Sequence, residues 1–286
     1  MAKNEASINI LRKFVIDCFL LIGLGICLSA MNMLWEPFQR GFFCGDQSLM
    51  YPYKEDTVTV LVLRLVGLLL PISAFLICEW TLLHKVHDSE RCLGVRIPVW
   101  VRGFYSTLVC FALGTCFVEI AVNISKNVIG RPRPHFFDVC RPSINCSSSE
   151  WKDRYIQSTD YTCTGLNTDR FEDSHRSFLS GHSAWAAYTM LYLALYLESR
   201  MTWKGTRSLR HALQFIAVML SWFTALSRVT DFKHHWSDVL AGYSLGTVFA
   251  VVMWVWGTDV VQKKKNNSSL PQFEIAITNQ SMPPQR

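Results

Sequence analysis

Thr57-Val-Thr-Val-Leu-Val-Leu-Arg64-Leu-Val-Gly-Leu-Leu-Leu-Pro71-Ile-Ser-Ala-Phe-Leu-Ile-Cys78 carries a single charge in 22 residues. As a helix rising 1.5 Å per residue it would reach about 33 Å, enough to cross the hydrocarbon core of a bilayer. Its apolar residues leave no polar stripe, so the helix would be apolar nearly all round, which a soluble bundle does not accommodate. Five further stretches read the same way, at about 14–35, 103–123, 178–197, 209–226 and 239–256. The 178–197 stretch starts polar and the 209–226 stretch is short. Only 17% of the 286 residues are charged, against roughly 25% in soluble domains, and that imbalance calls for an apolar solvent. The expected fold is all-α, an integral membrane bundle of six transmembrane helices.

Arg12 and Lys13 precede the first stretch, as in a signal peptide. The run is too long for one, however, and no small-residue cleavage pattern follows before Trp35, Glu36 and Pro37. Basic residues set the orientation. Lys3, Arg12 and Lys13 lie before the first span, and Lys85, Arg91, Arg96 and Arg102 follow the second. Arg200, Lys204, Arg207 and Arg210 follow the fourth, and Lys263, Lys264 and Lys265 follow the sixth, so these segments belong in the cytosol. Arg40, Lys54, Arg228 and Lys233 are fewer and fall on the outer connections. Both termini are then cytoplasmic, and the Arg-rich 126–182 segment lies outside by parity, as long loops are free to do. The chain divides into an N-terminus (1–13), a six-span domain (14–260) and a tail (261–286) whose polar, Pro-bearing sequence reads as disordered.

Topology also sorts the ten cysteines. Cys18, Cys27, Cys78, Cys110 and Cys116 fall in spans, where each serves as a small buried hydrophobe. Cys92 is cytoplasmic. Cys44, Cys140, Cys146 and Cys163 lie outside, where up to two disulfides are expected in any of three connectivities. Asn145, in Asn145-Cys146-Ser147, is the glycosylation acceptor on that side. Asn123, Asn266, Asn267 and Asn279 match the same tripeptide, but the first sits at a membrane boundary and the others in the cytosol.

Three polar clusters interrupt the apolar pattern, and topology brings all three to the outer face. The first, Lys126-Asn-Val-Ile-Gly-Arg131-Pro-Arg133-Pro134, ends the third span. One cation there could complement the helix dipole, but a structural role does not account for three. The second, Ser177-Phe-Leu-Ser180-Gly181-His182-Ser183, opens the fourth span, so its amides form an anion site, with Ser180 as cap and Gly181 allowing close approach. Alone, a His at a helix start is more often a cap or a surface residue. The third is Ser227-Arg228-Val-Thr-Asp-Phe-Lys-His234-His235-Trp-Ser-Asp238. If the sixth helix begins near His234, then His234 and Asp238 at i and i+4 share a face. The carboxylate would hold Nδ1–H and leave Nε2 as a nucleophile or base. The bland alternative is a helix pair worth a few tenths of a kcal/mol. A metal on His234, His235 and Asp238 is disfavoured because adjacent helical histidines point about 100° apart. Cations, a helix terminus, two histidines and a carboxylate together suit phosphoryl transfer without a metal.

The ordered set Lys126-x6-Arg133-Pro134, Ser180-Gly181-His182 and Ser227-Arg228-x5-His234-x3-Asp238 resembles the signature of the type 2 phosphatidic acid phosphatase superfamily. Arg40-Gly-Phe-Phe-Cys44-Gly-Asp-Gln-Ser-Leu-Met-Tyr51-Pro52, Asn145-Cys146-Ser147 and His234-His-Trp-Ser-Asp238-Val-Leu-Ala-Gly resemble its animal lipid phosphate phosphatase branch. The likeness spans roughly residues 10–260. It implies that His234 forms a phosphohistidine, that Asp238 orients it, and that His182 protonates the leaving alcohol and later helps water attack. Lys126, Arg133, Ser180, Gly181 and Arg228 would bind phosphate. Leu179 stands where many members have Pro, at a position variable in the animal branch. The resemblance further implies a helical bundle with its site at the outer leaflet, acting without Mg²⁺ or any other cofactor. Expected substrates are phosphatidate, lysophosphatidate, ceramide 1-phosphate and sphingosine 1-phosphate in the bilayer. No nucleic-acid partner is expected, and a homo-oligomer and the choice of plasma membrane or endomembranes stay open.

Rival readings are an inactive relative serving as a membrane interaction protein, a sugar-phosphate phosphatase, and a lipid phosphotransferase. Retention of His182, His234, Asp238, Lys126, Arg133 and Arg228 weighs against the first. Arg64 and Asp17 are costly charges within spans, with no role assignable from sequence.

Overall fold

The computed structural model describes residues 2–86, 89–93, 95–146, 148–151, 154–166, 169–203 and 205–267. Ser147 of the glycosylation tripeptide, Lys204, Asn279 and the tail beyond 267 lie outside the described residues, as do the side chains of Lys3, Arg91, Asn266, Asn267 and Lys263 to Lys265.

Each apolar stretch lies in a helix: α1 (Ala2–Leu34), α2 (Val60–Leu83), α3 (Val99–Ile129), α6 (Gly181–Arg200), α7 (Arg207–Thr230) and α8 (Trp236–Asn267). The short α4 (Phe136–Cys140) and α5 (Asp169–Asp173) lie between α3 and α6. Among the described residues, five helices are long and apolar enough to cross a membrane, and α6 is the long helix that falls short. The reason is its place in the bundle. α6 packs against α2, α3, α7 and α8, and the run from Ser183 through Met190 is buried without interruption. A helix sheathed by protein can carry Tyr188, Thr189, Tyr192 and Tyr196, because neighbours satisfy its polar groups: the Tyr188 hydroxyl donates to the Phe111 carbonyl at 2.8 Å. The outer helices instead expose Phe19, Leu61, Leu69, Trp222 and Phe223, the faces a bilayer would cover.

Two glycines of α8 set how closely it approaches α6. A Cβ on Gly242 would collide with the Ser180 carbonyl, and one on Gly246 with the Ala184 carbonyl. Small residues at such a crossing bring backbones together, and here they seat the N-terminus of α6 against the start of α8.

The charges within the helices find partners. Arg64 pairs with Glu119 at 2.5 Å and lies 3.8 Å from the centre of the Trp185 ring. Asp17 accepts from the Tyr105 hydroxyl at 2.9 Å. Glu79, wholly buried, accepts from Arg200 Nε and Nη2 at 2.8 and 2.5 Å and from the Tyr196 hydroxyl at 3.0 Å.

A hairpin of β2 (Ser89–Cys92) and β3 (Val95–Pro98) joins α2 to α3 at one end of the bundle. At the other end a small lobe forms around β1 (Phe42–Phe43), paired antiparallel with β4 (Tyr155–Ile156). Disulfides join Cys44 to Cys146 and Cys140 to Cys163, one of the three connectivities the sequence leaves open. Phe42, Phe136 and Tyr161 fill the lobe core. The lobe sits over the end of the bundle where α3 and α7 finish and α2, α6 and α8 begin.

Candidate active site

The three clusters converge at that end. α3 closes on Gly130, whose φ of 57° is left-handed and whose N–H donates to the Lys126 carbonyl at 3.2 Å. The chain then turns into Arg131-Pro132-Arg133, and the Arg133 N–H bonds the Ser174 carbonyl at 2.8 Å. Ser180 caps α6, its Oγ accepting from the Ser183 N–H at 3.4 Å and the Ser183 hydroxyl at 3.0 Å. Lys126 Nζ lies beside Gly181, 3.5 Å from where a Cβ would stand, so the ammonium is in contact range of the α6 terminus.

Arg133 and Arg228 are built alike. Each is buried, and each spends Nη2 on one carboxylate: Asp173 Oδ1 at 2.6 Å for Arg133, Asp56 Oδ1 at 2.9 Å for Arg228. Nε of both, and Nη1 of Arg228, have no hydrogen-bond partner among the described residues. Buried guanidinium donors left open are costly unless an anion takes them.

His234 is 3% exposed, and its Nδ1 lies 2.6 Å from the Ser177 carbonyl. A carbonyl only accepts, so Nδ1 carries the proton and Nε2 the lone pair. Burial first, then the charges of Arg133, Lys126 and Arg228, push the His234 pKa well below the ordinary imidazole value, so the ring is neutral near pH 7. His182 is held from its other nitrogen, with Nε2 3.2 Å from the Val58 carbonyl.

The expected His234–Asp238 contact is corrected. α8 begins at Trp236, not at His234, so the two residues do not share a helix face. α7 ends at Thr230 and the chain reverses through Phe232 at φ 55°, stacked on Tyr51, before delivering His234 with its N–H on the Arg228 carbonyl at 3.2 Å. Asp238, wholly buried, accepts from Arg131 Nη1 at 2.6 Å through Oδ1, and from the Ser177 hydroxyl at 2.6 Å and the His235 N–H at 3.2 Å through Oδ2. Ser177 therefore stands between carboxylate and imidazole, its hydroxyl on Asp238 and its carbonyl on His234. His235 turns aside, Nε2 3.2 Å from the Pro132 carbonyl.

With this geometry in place, comparison with known proteins is informative. Residues 107–262 match the PAP2 superfamily. Phospholipid phosphatase 1 of Rattus norvegicus is 37% identical over 253 residues, which cover 87% of this chain and 86% of that protein. Phospholipid phosphatase 2 of Homo sapiens is 31% identical over 264 residues, 91% of this chain and 88% of that protein. The chain belongs to the PAP2 superfamily. It is a multi-pass membrane phosphatase of that superfamily. No solved structure matches it.

For a PAP2 chain the signature residues are the legible part of the site, and the structure adds others around them. Ser177 and Arg131 lie inside the quoted clusters, where the sequence assigned them no role in orienting His234. Tyr51 to Thr59 forms a segment across the site. Thr57 donates its N–H and hydroxyl to Asp231 at 2.8 and 2.7 Å, Lys54 pairs with Asp231 at 3.2 Å, and the Tyr53 N–H bonds Asp138 at 2.8 Å. Lys233, 4% exposed, places its ammonium 3.7 Å from Asp56 and 3.8 Å from the centre of the Tyr53 ring. His135 props the turn through the Phe232 carbonyl at 2.8 Å, and burial brings its pKa down to about 4. Lys233 sits within the third cluster, next to His234 at a position the signature leaves open, and Asp56 lies four residues past Pro52; the sequence assigned neither a role.

Proposed function

We propose that this protein hydrolyses lipid phosphate monoesters, phosphatidate, lysophosphatidate, ceramide 1-phosphate and sphingosine 1-phosphate among them, through a phosphohistidine on His234 and without a metal. The observation that carries the reading is a neutral, buried imidazole with Nε2 free, set among buried guanidiniums with open donors at the N-terminus of α6. Lys126, Arg133 and Arg228, with the α6 amides around Ser180 and Gly181, take the phosphoryl oxygens, each charge-assisted bond contributing roughly 1.5–3 kcal/mol. The His234 Nε2 lone pair attacks phosphorus as the bond to the lipid oxygen breaks, and His182 gives its proton to that oxygen. His182 enters this step as the imidazolium, its charge stabilised by the bound phosphate dianion: Nε2–H stays on the Val58 carbonyl and the Nδ1 proton is the one transferred. In the second step His182 takes a proton from water, the oxygen attacks phosphorus, the P–N bond breaks and inorganic phosphate leaves.

Asp238 acts through Ser177, which fixes the imidazole and its tautomer. Breadth among lipids follows from where recognition lies: the charges meet only the phosphate, while acyl chains remain in the bilayer. α6 counts as the sixth crossing, shielded from lipid by its neighbours. The termini then lie in the cytosol and the site at the extracellular or luminal face. The disulfide lobe over the site and Arg96, Arg102, Arg200, Arg207 and Arg210 near the far end support that orientation. Asn145 is its glycosylation acceptor.

The test is phosphate release from lysophosphatidate by purified protein in mixed micelles with EDTA. Release by the parent and none by folded His234→Ala is the expected result; activity lost in EDTA and restored by Zn²⁺ or Mg²⁺ would sink the metal-free mechanism.

A further inference from the structure

Resting on the reading of Arg228 as a phosphate ligand, we propose that Asp56 is a positioning residue of the phosphate site, holding the Arg228 guanidinium so that its remaining donors are free for the phosphoryl group. Asp56 lies outside the signature motifs, 172 residues from Arg228 in sequence, and meets it through Oδ1 and Nη2 alone at 2.9 Å. That leaves Arg228 Nε and Nη1 without a hydrogen bond among the described residues, Nη1 lying 3.9 Å from Asp231 Oδ2, although the side chain is only 2% exposed. Arg133 repeats the arrangement with Asp173 on Nη2 and Nε open. Arg133, on the loop after α3, and Arg228, on α7, thus meet their carboxylates the same way, which marks the pairing as a feature of the site.

The carboxylate is also held from behind. Thr57, the next residue, makes two bonds to Asp231, itself wholly buried and three residues from Arg228, and the Val58 carbonyl takes His182 Nε2. These bonds fix the backbone beside Asp56, so the carboxylate starts from a held position. The same Oδ1 lies 3.7 Å from Lys233 Nζ, so it offsets two cations that would repel each other. Burial acts to raise the Asp56 carboxyl, but Arg228 and then Lys233 outweigh it and hold the group below the usual carboxylate range, so it is charged near pH 7. The competing arrangement is a carboxylate that occupies the phosphate's place and must be expelled by substrate. It predicts the opposite sign on anion binding.

The experiment uses full-length protein in detergent with tungstate as the oxyanion, reading affinity from the ligand-dependent rise in Tm, which needs no turnover. Asp56→Asn keeps the shape and an acceptor oxygen. Its tungstate Kd should rise about tenfold or more, with a similar fall in kcat/KM for lysophosphatidate and partial recovery in Asp56→Glu. In an Arg228→Ala background the same change should alter tungstate Kd less than about twofold, because the effect runs through that guanidinium. Equal or tighter tungstate binding by Asp56→Asn, or full additivity with Arg228→Ala, would overturn the proposal. Should Asp56→Asn not fold, Asp56→Glu decides. Moving the carboxylate by one methylene should weaken tungstate at least about threefold at unchanged ligand-free Tm, and unchanged affinity would refute it. A parent that binds tungstate but releases no phosphate would count against the phosphatase reading alone.

Discussion

Ser177→Ala isolates the link between Asp238 and His234. Ser177 is wholly buried and pinned at three points: its hydroxyl on Asp238 at 2.6 Å, its carbonyl on His234 at 2.6 Å, and its N–H on the Arg131 carbonyl at 3.0 Å. Alanine removes the first and leaves both backbone bonds. A hydrogen bond to a charged group is worth about 1.5–3 kcal/mol, and Asp238 retains Arg131 and the His235 N–H, so the buried carboxylate is not orphaned. Stability should fall by about 2 kcal/mol. If the same loss is felt in the transition state, kcat falls roughly 10- to 150-fold at about 1.4 kcal/mol per decade. KM should move little, because Ser177 touches none of the phosphate-binding cations. The assay is lysophosphatidate turnover in mixed micelles with EDTA, alongside thermal unfolding. A kcat within twofold of the parent, while Asp238→Ala is inactive, would show that Asp238 reaches the chemistry by some other route.

Other consequences follow from the same geometry. Histidine NMR in detergent should find the His234 ring neutral at pH 6, with Nδ1 protonated; an ordinary titration near 6.5 would contradict the burial and the three cations that depress it. Because the folded pKa lies below the unfolded one, this histidine takes up its proton more readily when unfolded. Stability should therefore decline as pH drops below about 6.5. Glu79→Ala breaks a buried ion pair at the far end of the bundle and should cost about 3 kcal/mol, the low end for such pairs because Arg200 is partly exposed. The surviving folded enzyme should keep its kcat, and a lowered kcat at equal folded fraction would argue against separation of the two ends. Replacing Cys140 and Cys163 by Ser opens a loop with a sequence separation of 23 and should lower stability by about 3 kcal/mol, read from thermal unfolding of oxidised parent and variant; an unchanged Tm would show that the loop's constraint contributes nothing.

Much of this was open to reading in the sequence, for identifiable reasons. Apolar runs such as Val60 to Cys78 mark helices because lipid demands internally satisfied backbone and apolar faces. α6 reads weakly because protein, not lipid, surrounds it and accommodates Tyr188 and Thr189. The motif residues were visible because each cluster breaks an apolar pattern near a helix end. Their local geometry was not. The His234–Asp238 spacing of four implied one helix face, but the turn at Phe232 and the start of α8 at Trp236 separate them, and no spacing rule reports a left-handed residue between helices. The carboxylates on Arg133 and Arg228 come from 40 and 172 residues away, contacts that exist only once the bundle closes. Cysteine pairing is likewise a property of the folded lobe, where Cys44 arrives just after β1 beside Cys146.

The most direct test of the account is to trap the covalent intermediate. Protein mixed with lysophosphatidate carrying a labelled phosphate, then quenched in denaturant at alkaline pH, should retain label that survives alkali, is released by acid and maps to His234. Folded His234→Ala should retain none. Label on another residue, or full turnover with no labelled protein at any quench time, would contradict the claim that His234 attacks phosphorus.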